Sequence, residues 1–381
     1  MTNPPLHIHA VELPYGRRVR DLWVTSEGFI TSTPQEGAKT LEGRFVAPGM
    51  VDAHVHLSID FAGLGLPHGD PQLVTRNAAL HVEMGVLAVR DAGYVQQLPL
   101  DGVILPQRPV IARSGWISVP TGRFFPGVDI GKLTDPGQLV ARVHETADAG
   151  IKWFKVIADF PGADMNLFTA PLNYSIEELR DAARAAHARG MMFMAHSTGP
   201  HVGDIVEAGA DAIEHGTGIT PEVVRLMADR GSNWTPTLAT VEAFLRKFED
   251  AGAPTSIRQE WDDRMSECLP LAVSLGVPVM VGSDELAHGC SDGEMEAMVR
   301  HGLTTSQVLA CATVTARRVL GLPGIEEGAV ADLVIWKEDP RLDLNVLRRP
   351  LAVVAEGKIV GGSVTGRTLP TLSAWKDARP A

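Results

Sequence analysis

Eight short apolar runs recur through the middle of this chain, separated by longer stretches with helical periodicity or by loops. That alternation limits the fold more than any other feature. The runs cover residues 50–56, 86–91, 109–114, 153–158, 191–196, 212–215, 233–238 and 277–284. They are nearly continuous in apolar residues, as strands buried on both faces are. Amphipathic helices fit residues 71–84, 136–150, 175–190, 221–231 and 256–276, and several end at glycine, a normal helix stop. Apolar strands alternating with helices indicate a parallel α/β fold, and eight such units predict a closed (β/α)8 TIM barrel.

The two ends read differently. Residues 21–30, DLWVTSEGFI, break at Glu27-Gly28 as a hairpin would, while 332–336 and 352–360 are β-branched runs split by polar turns. These ends predict a small β-sandwich domain built from both termini, residues 1–46 and 326–381, beside a barrel over residues 47–325. A chain of 381 residues, 45% hydrophobic and 21% charged, has room for both and for a large core. The net charge of −12, with no basic face to offset it, argues against a nucleic-acid partner. The longest apolar stretch, near 269–282, is broken by Ser274, Gly276 and Pro278, so no membrane partner is expected. The opening MTNPPLHIHA lacks a basic segment followed by an apolar run, so no signal peptide is expected either. Cys268, Cys290 and Cys311 are odd in number and widely spaced, which suits free thiols in a reducing cytoplasm. The oligomeric state stays open, with a homo-oligomer among the readings.

Barrel enzymes carry their chemistry at the C-terminal ends of strands, and the unusual polar residues fall there. The first run ends Asp52-Ala53-His54-Val55-His56, the fourth carries Lys155, the fifth ends at His196, the sixth at His215 and the eighth at Asp284. With a period of two, His54 and His56 share one side of their strand and can coordinate one metal. A lone histidine after a strand is ordinarily a hydrogen-bonded structural residue. Four histidines and an aspartate at separate strand ends are costly to bury without a shared partner. His7-Ile8-His9 has the same spacing in the N-terminal β segment, where it reads as surface or structural. Lys155, between Phe154 and Val156, is the most telling residue. Its bland reading is a side chain snorkelling to the rim. Its functional reading is carbamylation to an anion able to bridge two metal ions.

At these residues the sequence resembles the amidohydrolase superfamily, in its imidazolonepropionase-like branch with the prolidase-like (Xaa-Pro dipeptidase) enzymes. APGMVDAHVHL at 47–57, VRDAG at 89–93, WFKVIAD at 153–159, MAHS at 194–197, IEHG at 213–216, TPTL at 235–238, GSDE at 282–285 and GAVADLVIW at 328–336 carry the likeness. The resemblance implies two divalent metal ions, zinc foremost, with manganese, cobalt and iron also admissible. His54, His56, Lys155 and Asp284 would hold the more buried ion; Lys155, as N6-carboxylysine, would hold the second with His196 and His215. A bridging hydroxide would attack the substrate, with Asp284 as the catalytic base. Two departures stand out. Thr198 replaces a His or Tyr two positions past the strand-five histidine, and Thr121-Gly122-Arg123-Phe124-Phe125 replaces a TGGHG-like loop. Arg113, Trp116, Arg123, Thr198, His201, Thr237 and His288 are the candidate substrate contacts. Arg113 and Arg123 suit a carboxylate, and Trp116, Phe124 and Phe125 an apolar wall.

The favoured reaction is hydrolysis of an amide or cyclic amide C–N bond in a small molecule: an N-acyl amino acid, a dipeptide or a lactam-like compound. Heterocycle deamination, ester, lactone or organophosphate hydrolysis, and a non-catalytic metal-binding scaffold are the alternatives. Deaminases of the superfamily typically place an acid just past strand five. Here Ser197, Thr198 and Gly199 follow His196. The presence of Asp284 argues against a scaffold, which needs no base.

Overall fold

A computed structural model describes residues 3–60, 70–93, 109–124, 132–162 and 166–365. Phe125 and residues 366–381 of the expected terminal domain lie outside the described residues.

Strands from both ends of the chain join in one eight-stranded sheet. Its order runs Lys358–Gly361, Ala352–Ala355, Leu333–Trp336, Phe45–Pro48, Leu6–Glu12, Val19–Val24 and Ile30–Thr31, with Lys39–Leu41 also paired to Leu6–Glu12. Alternation fixes the faces: Leu6, Ile8 and Ala10 are buried, leaving His7 and His9 on the outer side. The two ends of the chain meet where Phe45–Pro48 pairs antiparallel with Leu333–Trp336, Ala47 opposite Val334. The far edge comes back on itself, since the Ile30 amide donates to the Ala329 carbonyl at 2.8 Å and Phe29 bridges Val330. In hydrogen-bonding terms the expected sandwich is thus one continuous sheet with its edge returned, and its interior is lined by Leu22, Val24, Leu333, Ile335 and Val354 among others.

The middle of the chain is mixed α/β with parallel sheets. We label its strands β1 (Met50–Val55), β2 (Val86–Asp91), β3 (Val110–Arg113), β4 (Trp153–Ile157), β5 (Met192–Ser197), β6 (Ala212–His215) and β7 (Asn233–Thr235). β1, β2 and β3 form one parallel sheet. β4 to β7 form a second in chain order, extended beyond β4 by the short strands Ser118–Val119 and Lys132–Leu133. All residues of β1, β2, β4, β6 and β7 are buried, as strands covered on both faces must be.

The eighth run, 277–284, forms no full strand. It still bonds to both neighbours: the Trp234 amide donates to the Pro278 carbonyl at 3.0 Å and the Met280 amide to the Trp234 carbonyl at 2.9 Å. On its other side the Ala53 amide donates to the Val281 carbonyl at 2.7 Å, and the Asp284 amide to the His54 carbonyl at 2.7 Å. Two local causes keep the ladder incomplete. Pro278 has no N–H to give, and the Ser283 amide is taken by the Asp52 carboxylate at 2.9 Å. This segment therefore connects the two parallel sheets along one seam, from β7 to β1.

The helices begin and end where local chemistry places them. Ser175 and Glu178 form a reciprocal cap on Ile176–Ala188, whose Leu179, Ala182, Ala183 and Ala186 face the core. Thr220 caps Pro221–Arg230, with proline in the first turn and Gly231 in left-handed conformation at the end. The helix expected from residue 136 starts only at Leu139. No helix among the described residues is long and apolar enough to cross a membrane.

Gly85, at φ +82°, joins the Pro71–Glu83 helix to β2, and a Cβ there would lie 2.7 and 2.9 Å from the two Val334 methyls of the terminal sheet. Gly85→Ala is expected to cost about 1–2 kcal/mol for the left-handed backbone and roughly 1–3 kcal/mol more for overpacking. Gly37→Ala, with φ +69° and nothing within 4 Å, should show the backbone cost alone. Urea denaturation midpoints of the two variants provide the comparison; equal losses would mean that the contact at Val334 carries no strain.

Candidate metal centre

Each expected ligand stands at or near the C-terminal end of its strand because the parallel registers bring those ends level. Ile157 pairs with His196, Ser197 with His215, and Asp284 is bonded back to His54. His54, His56, Lys155, His196, His215 and Asp284 are all buried, with Lys155 1% exposed. Nε2 of His54 and of His56 lie 3.7 and 3.6 Å from Asp284 Oδ1, and His215 Nδ1 is 3.8 Å from Asp284 Oδ2. These separations exceed hydrogen bonds and suit groups that share a cation. One ligand atom from each of His54, His56 and Asp284 falls within 4.8 Å of the others. The His196 and His215 ring centroids are 4.5 Å apart, and those of His54 and His215 5.1 Å.

Hydrogen bonds orient three of the rings. His54 donates from Nδ1 to Glu214 Oε2 at 2.5 Å, and His56 from Nδ1 to the Gly93 carbonyl at 2.7 Å. Each therefore turns a bare Nε2 toward Asp284. His215 Nδ1 sits 2.7 Å from the Thr237 hydroxyl. Two atoms of the expected ligands, Lys155 Nζ and His196 Nε2, are buried with no hydrogen-bond partner among the described residues. The donor set fits divalent metal ions, because orphaned nitrogens this deep are expensive unless something else binds them.

Electrostatics agree. Burial, then the Lys155 ammonium, hold His54 and His196 well below the usual histidine range; for His215 the neighbouring imidazoles His196 and His54 follow burial. His56 is pushed down to about 4, chiefly by burial. All four rings are thus neutral at neutral pH, with lone pairs available. Burial lowers the Lys155 ammonium against the pull of Glu214 and Asp284. Burial and then Glu285 raise the Asp284 carboxyl well above the usual carboxylate range.

The backbone is strained here too. His215, Thr237 and Asp284 have φ of 67°, 47° and 49°; Glu356 is the one other non-glycine with positive φ among the described residues. Such conformations cost on the order of 1–3 kcal/mol each and persist where surroundings over-determine them. The Trp234 indole holds the His215 carbonyl at 3.0 Å, and Glu294 receives the Leu238 and Ala239 amides just past Thr237.

Beneath the ligands lies a set of buried charges that the motif reading misses. Arg90 Nη2 donates to Glu214 Oε1 at 2.6 Å and to Thr235 Oγ1 at 2.8 Å, while its Nε donates to the Ala53 carbonyl at 2.7 Å. Asp52 accepts the His54 and Ser283 amides, and Asp91 the Leu57 and Gly93 amides. The signal is present in the sequence: Arg90 and Glu214 are charges inside apolar runs, as Lys155 is.

The candidate substrate contacts divide. Thr237 reaches the centre through His215, and Phe124 stands edge-on to His196 at 6.0 Å while packing on Phe160 at 5.0 Å. Arg113, the last residue of β3, and Trp116, just past it, are half-buried, with the Arg113 charge acting on Asp91. Other side chains engage the scaffold. Arg123 donates from Nε to Asn173 at 2.9 Å and from Nη2 to the Pro171 carbonyl at 3.4 Å. The Thr198 hydroxyl donates to Asp159 at 3.1 Å. His201 pairs with Asp204 at 3.0 Å at a helix start. His288 donates from Nε2 to the Ile59 carbonyl and meets His81 at 3.2 Å. His7 and His9 both bond Asp21 on the outer face of the terminal sheet, 2.8 Å each.

This chain belongs to the amidohydrolase family, whose profile matches residues 151–366, and it is a hydrolytic enzyme. It is 33% identical over 369 residues to an uncharacterized protein of Mycobacterium tuberculosis, covering 93% of this chain and 96% of that one. Ochratoxinase of Aspergillus niger is 27% identical over 249 residues, 60% of this chain and 49% of that enzyme. The crystal structure of that ochratoxinase superposes with a TM-score of 0.75 at 22% identity, over 94% of this chain and 96% of the other. A Xaa-Pro dipeptidase with bound methionine gives 0.76 at 22% identity, over 94% and 100%. These likenesses establish a shared fold.

A buried lysine without a partner should destabilise the metal-free protein. Lys155→Met removes that charge at nearly constant volume, so the chelator-stripped variant is expected to be more stable than wild type by roughly 1–4 kcal/mol at neutral pH. The folded lysine holds its proton less tightly than the unfolded one, so wild type gains stability as pH rises toward about 10.4, the ordinary lysine value. The advantage of the variant should shrink over that window. Urea melts at several pH values provide the measurement, and a variant less stable at every pH would show that the ammonium is well satisfied.

Proposed function

We propose that this chain is a binuclear metal-dependent amidohydrolase that cleaves an amide or cyclic amide C–N bond of a small molecule. The observation that carries the reading is the convergence of four buried imidazoles, Asp284 and an unpartnered Lys155 at neighbouring strand ends. We assign residues 1–46 and 326–381 to a small β domain and 47–325 to a barrel. The bonds of the 277–284 segment to both β7 and β1 support closure.

His54, His56, Lys155 and Asp284 would hold one divalent ion, and Lys155, His196 and His215 the second. Zinc suits the imidazole and carboxylate donors. Neutral Lys155 would add carbon dioxide at Nζ and release a proton, giving a carbamate with two oxygens in place of a buried cation. Bound metal would polarise the scissile carbonyl and lower the pKa of an attacking water. Asp284 accepts the proton of that water and passes it to the leaving nitrogen. Phe124, Trp116 and Arg113 would face the substrate, and the likeness to a Xaa-Pro dipeptidase supports a peptide or other amide bond. A reducing cytoplasm is the compartment we assign, where free thiols such as Cys268, Cys290 and Cys311 persist.

Zinc-reconstituted protein assayed on N-acyl amino acids, dipeptides and cyclic amides should hydrolyse at least one class, and a chelator should abolish that turnover. Asp284→Asn should keep most of its metal yet lose roughly 10²–10⁴-fold in rate. A rate near wild type in that variant would remove Asp284 from the chemistry. Turnover confined to esters or lactones would overturn the amide assignment.

A further inference from the structure

The Arg90–Glu214 pair is fully buried and spans two sheets, Arg90 in β2 and Glu214 in β6. Desolvating two charges costs more than packing apolar residues of the same size, so holding strands together is a poor reason for such a pair. Its connections suggest another. One Glu214 oxygen takes Arg90 Nη2 at 2.6 Å and the other takes His54 Nδ1 at 2.5 Å. Arg90 is itself fixed by the Ala53 carbonyl and the Thr235 hydroxyl, with its guanidinium 4.7 Å from the centre of the Trp153 ring.

We propose that Arg90 and Glu214 are positioning residues that lock His54 in the Nδ1–H tautomer and strengthen its bare Nε2 as a metal donor. Arg90 Nη2 donates to one Glu214 oxygen, which leaves the other to accept from His54, so His54 presents N–H to it. A carboxylate behind an imidazole also raises the donor strength of the opposite nitrogen. His56 is backed instead by the neutral carbonyl of Gly93, and His215 by the hydroxyl of Thr237. His54 is therefore the anchoring ligand of its metal position. The inference rests on the metal-centre reading for its consequence, while the tautomer itself exists without metal.

Glu214→Gln separates positioning from packing. Arg90 can only donate, so the glutamine carbonyl must face Arg90 and its NH2 group must face His54. Nδ1 then becomes an acceptor and the proton moves to Nε2, where the metal would bind. Adding Arg90→Met frees the glutamine carbonyl to turn back to His54. The test uses chelator-stripped protein labelled with ¹⁵N-histidine, with His54 assigned by its loss in His54→Gln, and zinc affinity by competition with a fluorescent chelator. Wild type should show Nδ1–H at His54. Glu214→Gln should show Nε2–H and bind zinc about 10–100-fold more weakly. The double variant should recover Nδ1–H and part of the affinity. An Nε2–H tautomer in wild type overturns the proposal, as does a Glu214→Gln variant with tautomer and zinc affinity unchanged. Failure of wild type to bind zinc at all overturns the metal reading, and the tautomer readout still judges the pair.

Discussion

Buried polar atoms that the protein itself does not satisfy are the constraint on which the rest of this structure turns. Lys155 Nζ and His196 Nε2 lie in the interior without hydrogen-bond partners, beside three further imidazoles held neutral chiefly by burial. A folded chain tolerates such groups where an external charge completes them. The parallel registers level the strand ends, the 277–284 segment carries Asp284 back to His54, and three non-glycine residues accept left-handed backbone to aim their side chains. Stability is given up locally so that donors converge, while the apolar core around β1 to β7 supplies it elsewhere.

The polar groups are organised in depth. Ligand candidates face the strand ends. Behind them Asp52 and Asp91 collect backbone amides, and Arg90 with Glu214 ties β1, β2, β6 and β7 to one imidazole. Asp159 binds the Ser197 hydroxyl and the Thr198 and Gly199 amides, setting the path of the chain past β5. A rigid support of this kind is what holds a reactive constellation in place, whereas loops at the strand ends are free to vary substrate choice.

Much of this is legible in the sequence. Strand ends show themselves because a histidine, lysine or aspartate closing an apolar run is rare for energetic reasons; in the folded chain His54, His56 and Asp284 lie together, with His215 and His196 beside them. Arg90 and Glu214 obey the same energetics, but their partnership joins positions 124 residues apart and follows no motif spacing. The eighth run shows its position and not its irregularity, since the cause is a side chain 231 residues away capturing the Ser283 amide. Side-chain direction beyond strand ends is not encoded by position. Arg123 and Thr198 lie where substrate contacts are expected, yet in the folded chain they bond Asn173 and Asp159.

Crystals grown with zinc and bicarbonate, with diffraction recorded on both sides of the zinc edge, test for the binuclear centre. Two anomalous peaks are expected, one among His54, His56 and Asp284 and one beside His196 and His215, with electron density continuing past Lys155 Nζ toward both. A single peak, or none, together with an unmodified Lys155 side chain, would contradict it.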